Sequence, residues 1–238
     1  MNIRAMSARR LSASRLRIPT HLTSLGLRRE GRSYAEEIRV GKPGSCPERP
    51  LLAIVLFDNS GSVLGGNDPI GQRFLEAELA ISRVGNRCRC GKDIAAVIHF
   101  DTPTSGDLEP TPITKPHWDR IHQSLAVPPD GRGISCLGPS LLAAHELAER
   151  YRSSHDVTLV AMTDFELFDN YLDELIAFPG DVHAVSLRAT PPDRIVAAGE
   201  VTVTQVDYSS RPGTVARAVF RALTKTRPKA KPLEVAQH

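Results

Sequence analysis

Short apolar runs of strand length alternate along the chain with stretches in which apolar residues recur at helical spacing. The most continuous run is Leu51–Phe57 (LLAIVLF), bounded by turn residues, which predicts a strand buried on both faces. Asp68-Pro69 then offers a helix cap and a first-turn proline. Ile70, Phe74, Ala77, Ile81 and Val84 follow on one face of an amphipathic helix. Residues 93–100 (DIAAVIHF) predict a second buried strand, and 118–125 a short helix after a proline-rich stretch. Leu137, Leu141, Ala144, Ala148 and Tyr151 give a longer helix. Strands are expected at 157–162 and 182–187 with a helix at 171–178 between them. Val201–Val206 begins by alternating Val with Thr, which suits a strand nearer a sheet edge, and Thr214–Leu223 closes with a helix. This order predicts an α/β fold: a doubly wound, mostly parallel sheet flanked by helices.

The periodicity fails at both ends. In residues 1–48 the breakers Pro19, Gly26, Gly31, Gly41, Pro43, Gly44 and Pro47 interrupt any regular pattern. The organisation expected is therefore a basic, largely irregular arm over 1–48, a domain over 49–224 and a basic tail over 225–238. Charge follows the same division. Seven arginines precede the first acid, Glu30, and from Arg211 onward the only acid is Glu234, so the small net charge of +3 hides an acidic middle. Basic ends of this kind suit solvated tails, with contact to nucleic acid, anionic lipid or an acidic protein as the functional alternative. An Arg- and Ser-rich, acid-poor start also has the composition of an organellar transit peptide. Aromatic residues that would stack on bases are scarce there, so nucleic-acid binding is not favoured as the main function.

Composition excludes several classes. With 41% apolar and 24% charged residues the chain reads as an ordinary globular protein. The Leu51–Phe57 run is too short to span a bilayer, and no stretch reads as a secretory signal. Four cysteines (Cys46, Cys88, Cys90, Cys136) in a chain this long do not make a disulfide framework, so a reducing, cytoplasmic setting is expected. Cys88-Arg-Cys90 has ligand-like spacing, but structural zinc takes four ligands and the other cysteines are distant in sequence; packing or surface thiols are expected. His99 and His145 are expected to be packing residues. Gly65-Gly66 lacks the flanking pattern of a phosphate loop and reads as a turn.

The chemistry gathers after the strands. The first buried strand runs into Asp58-Asn59-Ser60-Gly61-Ser62, one carboxylate and two hydroxyls on a tight loop. The carboxyl ends of strands in a doubly wound sheet form the ligand crevice, and such an oxygen set suits a small hard cation. Ser135 stands in a Gly-containing loop just before a helix, and Asp164 closely follows the third strand in Met162-Thr163-Asp164. The Asp-x-Ser-x-Ser loop, with these two in order, resembles the metal-ion-dependent adhesion site of von Willebrand factor A domains over roughly residues 50–224. One departure is Ser135, where that family has Thr; the hydroxyl is kept and a methyl lost.

The resemblance implies a Rossmann-like fold and a site for Mg²⁺ or Mn²⁺. Ser60 and Ser62 would bind directly, Ser135 in one conformation, and Asp58 and Asp164 often through water. It further implies a protein–protein interaction module rather than an enzyme, in which a partner's Asp or Glu completes the coordination. Intracellular members often serve larger assemblies, including ones driven by AAA+ ATPases. The enzymatic alternative is a phosphatase resembling the haloacid dehalogenase family, but its first motif needs a second carboxylate where this chain has Ser60.

Overall fold

The computed structural model describes Tyr34 and residues 38–88 and 90–234. The chain divides into a first unit, Met1–Glu37, of which only Tyr34 is described, and a second running from Ile38 to His238.

Six strands of the second unit form the main sheet. They are β2 (Leu51–Phe57), β3 (Ile94–His99), β4 (Leu108–Pro112), β5 (Asp156–Thr163), β6 (Asp181–Leu187) and β7 (Val201–Val206). Their spatial order is β4-β3-β2-β5-β6-β7, parallel throughout except for β4, which pairs antiparallel with β3. The helices are α1 (Arg73–Gly85), α2 (Trp118–Ser124), α3 (Gly138–Tyr151), α4 (Leu172–Ile176), α5 (Asp193–Ala198) and α6 (Thr214–Leu223). A two-residue strand β1 (Gly41–Lys42) pairs antiparallel with β8 (Lys231–Pro232). The doubly wound α/β architecture is the one expected.

The central strand explains its own composition. Leu51, Ala53, Val55 and Phe57 face a core shared with Ala77, Ile81 and Val84 of α1 and Val215 and Val219 of α6. Leu52, Ile54 and Leu56 face the opposite core, with Leu141 and Ala144 of α3, Leu175 of α4 and Ile195 of α5. A strand covered on both faces has no polar side, hence the unbroken apolar run. Glu76 of α1, fully buried, accepts from Gly213 N (2.8 Å) and Ala216 N (2.9 Å) and so caps α6 across the helix pair.

Several local expectations are corrected. The first helix starts at Arg73 and not at Pro69, because Asp68 accepts instead from Gly71 N (2.9 Å) and pairs with Arg73 (2.6 Å). The helix expected at 171–178 shortens to Leu172–Ile176, and α5 had no sequence signal strong enough to mark it. β4 was hidden by its prolines; Pro110 and Pro112 are tolerated because this strand lies at the sheet edge.

The boundaries expected at 49 and 224 fall inside the compact unit. Val40 is buried, and residues of the expected arm and tail meet in the β1–β8 pair. Arg227, expected in a solvated tail, is buried: its Nη1 donates to Asp93 Oδ2 (2.7 Å) and its Nε to Pro43 O (2.9 Å). Asp93 also accepts from Leu51 N (3.0 Å), so this ion pair anchors the start of β2. Among the described residues no helix is long and apolar enough to cross a membrane.

Candidate functional site

The sheet order fixes where a ligand can sit. From β2 the chain crosses to β3 on one side, while β5 lies against β2 on the other, so connections diverge at the β2/β5 carboxyl ends. Such a switch point opens a crevice. Asp58 directly follows β2 and Asp164 directly follows β5, and Asp58 N donates to Met162 O (3.0 Å), which keeps the two strand ends in step. Both aspartates are almost completely buried.

The first loop turns on its own aspartate. Ser60 N donates to Asp58 Oδ1 (2.8 Å), a local turn that brings the serines round. The Ser60 and Ser62 hydroxyls lie 3.0 Å apart, one donating to the other. Leu64 N then closes on Ser60 O (3.0 Å) as the chain enters a short wide turn over Val63–Asn67.

The Ser135 loop is brought to this one by backbone bonds. Asp101 accepts from Arg132 N (2.5 Å), Gly133 N (2.6 Å) and Ile134 N (3.1 Å), a carboxylate wrapped by three successive amides. Gly133, at φ 70°, adopts a conformation that favours glycine and offers its carbonyl to Gly61 N (3.1 Å). Ser135 O accepts from Phe168 N (2.9 Å), which ties in the loop after β5. Asp169 in that loop accepts from Leu137 N (3.1 Å) and Gly138 N (2.7 Å) at the start of α3. All five residues singled out from sequence, Asp58, Ser60, Ser62, Ser135 and Asp164, thus lie on three mutually bonded loops at the carboxyl end of the sheet.

Electrostatics at the centre are unbalanced. Asp58 Oδ2 accepts from the Thr163 hydroxyl (2.7 Å) while Oδ1 holds Ser60 N, yet burial still pushes its pKa above the usual carboxylate range. The Asp164 charge adds to that rise. Asp164 accepts from Asn67 Nδ2 (2.9 Å) and Glu166 N (3.1 Å), and Asn67 Oδ1 takes a bond from Arg188 Nη1 (2.7 Å). Asp58 and Asp164, with the paired Ser60 and Ser62 hydroxyls nearby on the first loop, are all oxygen donors, the chemistry that suits Mg²⁺ or Mn²⁺, while Ser135 is tied in through its backbone carbonyl.

Sequence reasoning missed the supporting residues. Thr163 stood inside the quoted Met162-Thr163-Asp164 and carried a usable signal, a hydroxyl next to a candidate ligand. Asp101, Asn67 and Arg73 did not, since loop Asp, Asn and helix-start Arg are common. Arg73 is buried and donates through Nη2 to Asp58 O (3.2 Å) and Asn59 Oδ1 (3.0 Å), fixing the first loop from behind. Asn59 Nδ2 donates to His99 Nδ1 (2.7 Å), and His99 Nε2 donates to Ser124 O (3.2 Å). Burial lowers the His99 pKa, in keeping with a neutral, satisfied packing residue. His145 likewise packs edge-on to Phe178 and reaches Glu174 O (3.2 Å).

No family model matches the chain, and no curated protein matches it. Solved structures do. Proximal thread matrix protein 1 from the mussel byssus aligns with a TM-score of 0.51 at 15% identity, covering 74% of this chain and 48% of that one. Another structure of that protein gives 0.47 at 14% identity, covering 75% and 47%. The open conformation of the pilus adhesin SpaC from Lactobacillus rhamnosus GG gives 0.34 at 16% identity, covering 49% and 15%. The chain spans about half the length of the mussel protein or less. At this identity the first likeness shows a shared fold, a six-stranded, mostly parallel sheet flanked by helices, consistent with a von Willebrand factor A type of Rossmann-like fold.

Proposed function

We propose that the chain is a metal-dependent protein–protein interaction module and not an enzyme. Its Asp58, Ser60, Ser62, Ser135 and Asp164 hold Mg²⁺ or Mn²⁺, and the ion meets an Asp or Glu of a partner. The observation that carries this reading is the meeting of three oxygen-bearing loops at the β2/β5 switch point, tied by the Gly61–Gly133 and Phe168–Ser135 backbone bonds. A cation held mainly by neutral hydroxyls stays electron-poor and supplies an open position for a carboxylate. Ser60 and Ser62 present their oxygens together, and Asp58 and Asp164, each already holding amide and side-chain donors, orient water around the ion.

The surroundings support docking. Phe168 is 86% exposed, Leu64 50% and Ile134 40%, each on one of the three site loops. Exposed apolar residues ringing a polar centre suit a protein partner, whose apolar side chains they would cover. Cysteine usage and the basic ends favour an intracellular assembly as the setting, with an AAA+ ATPase among the partners that the family resemblance implies.

Mn²⁺ titration followed by water-proton relaxation tests the proposal, first alone and then with a short Glu-containing peptide. Wild type is expected to bind Mn²⁺ and to lose relaxation enhancement as the peptide carboxylate displaces metal-bound water, while Asp58→Ala does neither. Equal Mn²⁺ binding by Asp58→Ala would overturn the site. Turnover of a chromogenic phosphate ester that Asp58→Ala abolishes would overturn the non-enzymatic reading.

A further inference from the structure

Cys46 is 42 residues from Cys88 in sequence, yet their sulfurs lie 3.2 Å apart, and the Cys88 and Cys90 sulfurs 2.7 Å apart. All three Sγ atoms fall within 4.8 Å of one another. The expectation that Cys46 is too distant to join a Cys88–Cys90 site is therefore corrected. A gap of 2.7 Å exceeds a disulfide bond, which is about 2.05 Å. It is also shorter than the roughly 3.8 Å edge that tetrahedral geometry gives for Zn–S bonds of about 2.3 Å. Small side-chain rotations therefore separate this cluster from a metal-holding arrangement.

A second observation points the same way. Arg227 is fully buried, its Nη1 and Nε are used by Asp93 and Pro43, and its Nη2 has no hydrogen-bond partner. The guanidinium lies against the Cys88 sulfur. A neutral thiol is a weak acceptor, whereas a thiolate is a strong, charged one. A metal-bound thiolate at Cys88 would give that leftover buried nitrogen a charged acceptor. The neighbouring cleft adds Lys42, Arg83, Arg87 and Lys229 and no carboxylate, surroundings that favour an anionic complex.

We infer that Cys46, Cys88 and Cys90 form a tri-thiolate site for a thiophilic divalent cation of the Zn²⁺ class, with water in the fourth position. Uptake converts three thiols and Zn²⁺ into a singly negative zinc–thiolate complex and releases three protons to solvent; no electrons are transferred. The site would clip the 38–50 segment to the end of α1. Ser45 N already donates to Pro228 O (2.8 Å) there, so the clip also secures the β1–β8 pair. Closing the long Cys46–Cys88 loop makes metal binding a contribution to folding.

Co²⁺ substitution of the reduced full-length chain tests this, because thiolate ligation gives an intense sulfur-to-metal charge-transfer band. Wild type, Cys136→Ser and Asp58→Asn are expected to show the band, to lose it stoichiometrically to Zn²⁺, and to melt higher with Zn²⁺. Cys88→Ser is expected to lose both effects, and Cys90→Ser, at an exposed position, serves if the former fails to fold. A band of unchanged intensity in both cysteine variants would overturn the site. A wild type that shows no band under reductant, yet cross-links Cys46 to Cys88 when reductant is withdrawn, would overturn it in favour of a disulfide pair.

Discussion

Replacing Asp58 by Asn separates what the carboxylate does for the fold from what it does for a cation. The substitution keeps an oxygen to accept from Ser60 N, where Asp58 Oδ1 now does so at 2.8 Å. On the other side, the Thr163 hydroxyl can turn to accept from the new amide while still accepting from Phe165 N (3.0 Å). What disappears is the buried negative charge, whose pKa is raised by burial and by Asp164. Without metal the variant is therefore expected to melt no lower than wild type, and higher if relief of desolvation and repulsion outweighs the weaker hydrogen bonds. With Mg²⁺ the order reverses. At a hundredfold excess over its dissociation constant, a ligand of the native state adds about 2.7 kcal/mol. A unit of about 200 residues (Ile38–His238) unfolds with an entropy of roughly 0.4 kcal/mol per kelvin, so the wild-type rise is ~6 °C. Scanning calorimetry of both proteins in EDTA and in saturating Mg²⁺ reads all four states. A wild-type-sized Mg²⁺ shift in Asp58→Asn would refute the metal role. A metal-free variant melting well below wild type would refute the claim that this charge is an electrostatic burden on the empty fold.

Two further outcomes can be read, one at the Asp58 loop and one on β6. Thr163→Val removes the hydroxyl that donates to Asp58 Oδ2. Mg²⁺ affinity by titration calorimetry is expected to fall 10- to 100-fold, the usual range for a lost outer-shell bond; an unchanged constant would mean Thr163 does not orient Asp58. His183 is buried on β6 with Nε2 2.8 Å from Thr204 Oγ1, and burial, then Arg221 and Lys225, push its pKa down to about 4. The unfolded chain takes up this proton near pH 6.5 and the folded one only near 4, so stability is full above ~6.5 and falls by up to about 3 kcal/mol as pH drops through that window. Urea midpoints at pH 7.5 and 4.5 check this. His183→Gln should lose less than wild type between the two, and equal losses would assign the pH dependence to other groups.

The legible parts of this molecule are those encoded locally. Leu51–Phe57 announces a two-sided strand because both neighbouring cores need apolar residues from it. Asp58, Ser60 and Ser62 can be read because the turn that gathers them spans five residues. Ser135 and Asp164 could be marked by their places before a helix and after a strand, but only a known pattern joined them to the first loop, since nothing within either loop says which other loop it meets. β4 escaped because proline counts against a strand everywhere except at an edge, and edge position is a property of the finished sheet.

What stayed hidden depends on long-range pairing of side chains whose types are individually uninformative. Arg227 looks like one more cation in a basic tail, yet its partner Asp93 opens the expected second strand, and together they hold the first residue of β2. The same meeting carries Pro43 and the following Cys46 to the end of α1, where Cys88 and Cys90 are. An overall charge pattern treats Arg227 as solvated, whereas burial beside Asp93 and a sulfur gives it a structural duty that a surface lysine would not perform. Residues of the basic C-terminal segment up to 232 therefore help close the domain, and the Arg227 charge used in that closure is not available to solvent.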